Sequence, residues 1–303
     1  MIQSLPEHTK TDQQLVADQL CCFTASDGYQ MQYRHHKPTC GEPLGYVVAV
    51  HGIQSHSGWY TDSSNMLCQA GYDVRFLDRR GSGLNDIERG HAPHADRLVN
   101  DIIQFIAEVR EERNRIAPTS PVIMLGLSWG GKLAAVVAAR RPELIDGLVL
   151  LYPGIYARVQ PGTLARISLR IGHALGYHNR KISIPLEDPA LFTQDQERQE
   201  FILKDPLALR EASVSLLHAS LCLENWAQQS APHIRCPVLM MLAGNDRIVD
   251  NFATRRFFDQ LPTLEKTLKE YSEAEHTLEF EPMRDQFVAD LVQWFHQLRE
   301  HAL

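Results

Sequence analysis

Short apolar runs recur along the chain: YVVAVHG (46–52), YDVRFLD (72–78), VIMLGLS (122–128), GLVLLYP (147–153) and PVLMMLAGND (237–246). Each ends in polar or glycine residues. Continuous Val/Leu/Ile runs of this length fit strands covered on both faces, as in a parallel sheet. TLKEYSE (267–273) is a weaker candidate for a last strand. Between the runs the apolar spacing changes to three and four residues. Leu98, Ile102, Phe105, Ile106 and Val109 form one such face, ending near Pro118. Lys132 to Arg141 is Ala-rich and stops before Pro142, and Phe287, Leu291, Trp294, Phe295 and Leu298 share a face of a last helix. Strand–helix alternation of this kind predicts a doubly wound α/β fold.

The rhythm breaks between Gly154 and Arg235, where no convincing strand is legible. That stretch offers an amphipathic piece, TLARISLRIGHALGY (163–177), and a long helical one, DPLALREASVSLLHASLCLENWAQQ (205–229). Roughly 80 residues is far above the usual length of a connection between strands, so the segment predicts a helical cap over one end of the sheet. The expected organisation is therefore a core in two parts, 1–153 and 236–303, with the cap inserted as 154–235. Within the first piece Leu164, Ile167, Ile171 and Leu175 fall near one helical face, with Arg166 and Arg170 at other angles. Such a stripe either packs inward over the rest of the cap or lines the entry for an acyl chain, and partial acyl contact is the expectation here.

Composition narrows the class without choosing the chemistry. At 303 residues, 44% hydrophobic and 22% charged, the chain can bury a substantial core. Its net charge of −7 and the absence of a dense basic cluster argue against a nucleic-acid partner. MIQSLPEHTKTDQQ lacks the apolar centre of a secretory signal, and no run approaches the ~20 apolar residues of a membrane span. Six cysteines without a C-x-x-C pair read as reduced packing thiols of a cytoplasmic protein.

The chemistry gathers at GLSWGG (126–131). A serine between glycines is usually only a turn residue. Here an apolar strand precedes it and a helix follows, which is the context of a nucleophile elbow, G-x-S-x-G. Small residues at 126 and 130 are needed because the turn is so sharp, and Ser128 is thereby held at the carboxyl end of a strand, where open parallel sheets bind ligands. A serine hydroxyl needs a base. Of the 14 histidines, His35, His36, His94 and His296 read as surface residues, whereas His276 lies just after the last candidate strand. The base needs a carboxylate to hold its tautomer. Asp246 ends the run PVLMMLAGND at a strand's carboxyl end; Asp250, the rival, reads as the N-cap of NFATRRFFDQL. Backbone N–H groups of Trp129 and of Ile53, in the loop after the first core strand, are the expected oxyanion donors. His51 and His56 have no carboxylate or cysteine near them in sequence, so no metal site is expected.

HGIQSHSGWY, DRRGSG, GLSWGG, GNDRIVD and AEHTLEFE together resemble the monoacylglycerol lipase and lysophospholipase branch of the α/β-hydrolase superfamily, which is also grouped with serine aminopeptidases. The likeness covers roughly 23–153 and 236–298 and is weak in the cap. It implies a hydrolase of carboxylic esters with Ser128, Asp246 and His276 as triad, and Ile53 and Trp129 fall on its oxyanion-hole positions. Leu127 stands where many of these lipases have histidine, and Asp78 in DRRGSG falls in a loop that is structural in the family. The implied partner is a small-molecule acyl ester, with no cofactor, no nucleic acid and no stable membrane insertion; transient lipid contact through the cap is compatible with the stripe, and the oligomeric state is left open. An aminopeptidase or amidase would use the same triad and anchor a free amine on cap acids such as Glu187, Asp188 or Glu224. An acyltransferase or a non-catalytic binding protein on this fold are the remaining alternatives.

Overall fold

A computed structural model describes residues 19–39 and 41–302. An eight-stranded sheet runs in the order β1-β2-β4-β3-β5-β6-β9-β10. Its central members, β3 (Gly45–Val50), β4 (Tyr72–Leu77), β5 (Val122–Leu127), β6 (Gly147–Leu151) and β9 (Val238–Ala243), are buried at every position. These are the apolar runs of the sequence, and they pair in parallel from β4 through to β10 (Lys266–Tyr271). Helices α1 (Thr61–Gln69), α2 (Ala95–Ile116), α3 (Gly130–Arg140), α7 (Asn251–Asp259) and α8 (Arg284–Ala302) connect or follow the strands. The chain is an α/β-hydrolase fold, as the alternation predicts.

Strand order places the site. After β3 the chain moves outward to β4, then returns across the sheet to β5, which pairs with β3 through Val50 opposite Gly126. The loops leaving β3 and β5 therefore emerge side by side where the order reverses, the crevice in which sheets of this type bind ligands.

Two strands were not legible as apolar runs. β1 (Gln19–Thr24) and β2 (Gln30–His36) form an antiparallel hairpin, and β2 continues antiparallel onto β4. As an edge hairpin β1 needs only one covered face: Phe23 is buried while Leu20 and Cys22 are exposed. The same pairing corrects two histidines. His36 is fully buried, and His35, half-buried, bonds Asp73 through Nε2 at 2.9 Å; neither is a surface residue. Of the cysteines, Cys68 is buried and Cys22 is exposed, so a packing role does not extend to all; Cys40 lies outside the described residues.

The stretch from 154 to 235 is less purely helical than its sequence suggests. α4 (Thr163–Ala174), α5 (Gln196–Lys204) and α6 (Val214–Ser230) are joined by a small antiparallel pair, β7 (Lys181–Ser183) with β8 (Glu211–Ser213). The long helix starts at Val214 rather than 205, because Ser213 caps it by accepting from Leu216 N–H and the chain before it is spent in β8. The stripe on α4 faces outward: Leu164 is 81% exposed and Leu175 68%, with Ile167 and Ile171 also exposed, and only Leu169 on that helix is buried. None of the four lines a cavity with Ser128, so the expected acyl contact is not made.

Candidate active site

Ser128 follows β5 directly and adopts φ +50°, an uncommon conformation for a side-chain-bearing residue and one that persists where the surroundings impose it. Ser128 N–H donates to Leu151 O at 3.0 Å, and Ser128 O accepts from Gly154 N–H at 2.6 Å and Gly131 N–H at 2.9 Å. The glycines are explained by close approach. A Cβ on Gly130 would stand 2.3 Å from Val50 O, and one on Gly126 would stand 2.5 Å from Ala134 Cβ. α3 can start this close to the end of β3 only if nothing projects there.

His276 Nε2 lies 2.8 Å from Ser128 Oγ, and its Nδ1 lies 2.7 Å from Asp246 Oδ2. Asp246 Oδ1 accepts from Ile248 and Val249 N–H, both at 2.8 Å, so the carboxylate is fixed by its own turn. Asp246 and His276 are both buried. With the carboxylate on Nδ1, the proton belongs on that nitrogen and Nε2 is left to accept from the serine hydroxyl. The arrangement can take a proton from Ser128 as its oxygen attacks an electrophile, and hold the resulting imidazolium. Asp250 instead caps α7, accepting from Ala253 N–H at 3.1 Å. Tyr152 and Phe192 pack their rings against His276 at 4.8 and 6.0 Å between centroids. Neither aromatic was singled out by spacing, though Tyr152 ends the apolar run before the cap.

Behind His276, Glu279 is buried beside Ser63, whose N–H donates to it at 3.1 Å. Burial pushes its carboxyl up to about 7, against the lowering effect of the Ser63 hydrogen bonds.

Ile53 and Trp129 sit on the two adjacent loops. Among the described residues no acceptor is found for either backbone N–H. The Trp129 indole is not merely a wall, since its Nε1 donates to Ser220 Oγ on α6 at 2.7 Å. Asp78 accepts from Ser57 N–H at 2.7 Å and Leu84 N–H at 2.9 Å, tying two loops together as a structural aspartate does.

Two sequence expectations need correction. His56 does have a carboxylate partner: Asp205, from the inserted segment, accepts from His56 Nε2 at 2.9 Å and Trp59 Nε1 at 2.6 Å. Glu224 is not free to anchor an amine, because Oε1 accepts from Arg166 at 2.8 Å and Oε2 lies 3.5 Å from Lys132 Nζ. Glu187 and Asp188 are exposed, and Asp188 caps the turn at Ala190. Among the described residues, no group of histidine, cysteine and carboxylate side chains is arranged to hold a metal ion, and no helix is long and apolar enough to cross a membrane.

A cavity of about 110 Å³ opens at Ser128, walled by Ile53 and Trp129 from the core and Leu169, Leu217 and Leu221 from the inserted segment. A larger groove of about 550 Å³, between α1 and α8, contains none of these side chains.

A family model described as serine aminopeptidase, S33, matches residues 41–283. Human monoglyceride lipase is 26% identical over 282 residues, covering 90% of this chain and 89% of its own, and phospholipase YtpA of Bacillus subtilis is 24% identical over 253 residues, covering 80% and 92%. Among solved structures, the monoacylglycerol lipase of Paleococcus ferrophilus matches with a TM-score of 0.77 at 25% identity, over 88% of this chain and 99% of that one. A soluble variant of the Saccharomyces cerevisiae monoglyceride lipase shares the fold, with a TM-score of 0.81 at 22% identity over 97% and 99%. With the match running through most of the chain, from the strand pairs of the sheet to the residues after His276, the chain belongs to the serine aminopeptidase, S33, family of α/β-hydrolases.

Proposed function

We propose that this hydrolase cleaves carboxylic esters through an acyl-enzyme, with Ser128 as nucleophile, His276 as base and acid, and Asp246 as the carboxylate that orients it. The observation that carries the reading is the linked pair of hydrogen bonds, 2.8 Å from Ser128 Oγ to His276 Nε2 and 2.7 Å from His276 Nδ1 to Asp246. As the Ser128 oxygen bonds to the ester carbonyl carbon, its proton passes to His276 Nε2. The Ile53 and Trp129 N–H groups donate to the carbonyl oxygen as it becomes an oxyanion. Collapse of the tetrahedral intermediate breaks the carbon–oxygen bond, and the alcohol leaves with the proton from His276. Water, losing its proton to the same nitrogen, then displaces the acid from Ser128.

Ester cleavage is favoured over aminopeptidase chemistry by the state of Glu224. It is the one carboxylate among the described residues lining the cavity, and two cations hold it. The names of the lipase relatives point the same way. The cavity is smaller than the ~300 Å³ at the low end of ligand pockets. A short acyl group suits it as the cap stands, and a long chain requires the cap to shift. We assign 154–235 as that cap, inserted between core parts 1–153 and 236–303.

The outward stripe of α4 supports transient contact of the cap with a lipid surface, because four large aliphatic side chains stay in water at the margin of the site. Free thiols at Cys21, Cys22, Cys68, Cys222 and Cys236 support a cytoplasmic setting. The deciding experiment is a panel of p-nitrophenyl esters, monoacylglycerols and aminoacyl anilides, with a fluorophosphonate probe. Wild type should turn over esters and label; Ser128→Ala should lose labelling and about a million-fold in kcat. Labelling at another serine with activity retained refutes the assignment.

A further inference from the structure

The cavity at Ser128 is walled mostly by apolar side chains; Gln160 and Ser220 are neutral polar members of the wall, and Lys132 and Glu224 are its charged ones. Lys132 lies on the first turn of α3, four residues after the nucleophile, and is only 4% exposed. Among the described residues its Nζ reaches a single acceptor, Glu224 Oε2, at 3.5 Å, the outer limit of a hydrogen bond. The better contact of that carboxylate is made by Arg166, from α4, at 2.8 Å. Two cations thus share one anion, and the more buried cation has the poorer share.

A buried ammonium with three donors is costly unless they are met. Burial lowers the proton affinity of Lys132, and Arg166 adds to that, while Glu224 opposes it. Arg166 on α4 and Glu224 on α6 satisfy one another within residues 154–235, and Lys132 is the second cation, reaching the same carboxylate from α3 at the longer distance. Two cations against one carboxylate leave a positive surplus, with Lys132 donors to spare, on the wall of the cavity.

We propose that Lys132 recognises an anionic oxygen group on the substrate, so that the ester cleaved here carries a carboxylate or a phosphate within reach of Nζ. The aliphatic remainder of the molecule lies against Leu169 and Leu221. This rests on the reading of Ser128 as nucleophile and names the substrate class for it.

The test compares matched pairs of esters. In the first pair the anion is a carboxylate on the acyl side: p-nitrophenyl hydrogen glutarate against p-nitrophenyl valerate. In the second it is a phosphate on the alcohol side: a 1-acylglycerol 3-phosphate against the 1-acylglycerol of the same short acyl chain. Wild type is expected to favour the anionic member of one pair in kcat/KM, which tells carboxylate from phosphate. Lys132→Met should cut that anionic-to-neutral ratio about tenfold or more, as expected for loss of a hydrogen bond to a charged group. Glu224→Gln should raise the ratio, because the competing anion is gone; a merely structural role would not move the two variants in opposite directions. Preference for the neutral member in both pairs, or an unchanged ratio in Lys132→Met, overturns the proposal. Should Lys132→Met fail to fold, a ratio that does not rise in Glu224→Gln overturns it alone. Turnover of p-nitrophenyl valerate with labelling of Ser128 keeps the nucleophile assignment standing in those cases. Absence of all ester turnover and of labelling brings down both.

Discussion

Arg79 donates through Nη2 to the carbonyl oxygen of Ile53, and its guanidinium lies over the Trp129 indole at 4.7 Å. One buried side chain therefore touches both residues whose N–H groups are assigned to the oxyanion. Holding the Ile53 carbonyl fixes the 53–54 peptide and so restricts the backbone rotation at Ile53, on whose other side its own N–H is presented. Arg79→Met should lower kcat by about tenfold to a hundredfold with KM for short esters changed little, since a misaimed donor is missed only in the transition state. Steady-state kinetics on p-nitrophenyl butyrate checks this. A rise in KM at unchanged kcat would assign Arg79 to substrate binding instead.

Asp246→Asn should cost about four orders of magnitude in kcat, because an amide permits the wrong imidazole tautomer. Asp250→Asn should leave kcat nearly untouched, asparagine being as good an N-cap as aspartate. Measuring both variants side by side is decisive, and the reverse ranking would mean the orienting carboxylate is misassigned.

Glu279 gives the protein a pH dependence of stability. Its folded-state value of about 7 stands above the ordinary 4.5, so the folded protein keeps a proton that the unfolded chain releases between those pH values. The stability from this group is complete below about pH 4.5 and is lost as pH rises through 7, with a ceiling of about 3 kcal/mol. Glu279→Gln should flatten the melting temperature across this window and exceed wild type above it. Parallel curves for the two proteins would count against a buried, protonated Glu279.

Ile167→Asp with Ile171→Asp should leave the melting temperature within a degree or so, since both side chains are already in water. Turnover of dissolved short esters should hold, while binding to phosphatidylcholine vesicles in a flotation assay should fall. Unchanged vesicle binding removes the lipid-contact reading of α4.

The central sheet was legible because its strands are buried on both faces and leave continuous apolar runs, and the order Ser128, Asp246, His276 followed from strand ends. β1 and β2 were not, because an edge hairpin with polar positions such as Gln30, Gln32 and Arg34 leaves no such run. On α4, periodicity locates a stripe and cannot say which way it faces; the packing of Leu169 against Val214 and Leu221 decides that. Lys132 gave no sign either. It sits in an Ala-rich helix, and its partner is 92 residues away on an element whose docking no local pattern encodes.

β6 pairs with β5 along one side and with β9 along the other, yet β9 follows only after the whole inserted segment. During synthesis the fully apolar Gly147–Leu151 strand therefore waits with a bare edge while residues 154–235 are made, a condition that invites wrong pairing. The stretch made after that segment supplies β9, β10, Asp246 and His276 together. The stretch that completes the sheet thus also carries the carboxylate and base proposed for Ser128, so in a nascent chain the proposed nucleophile precedes both of its partners.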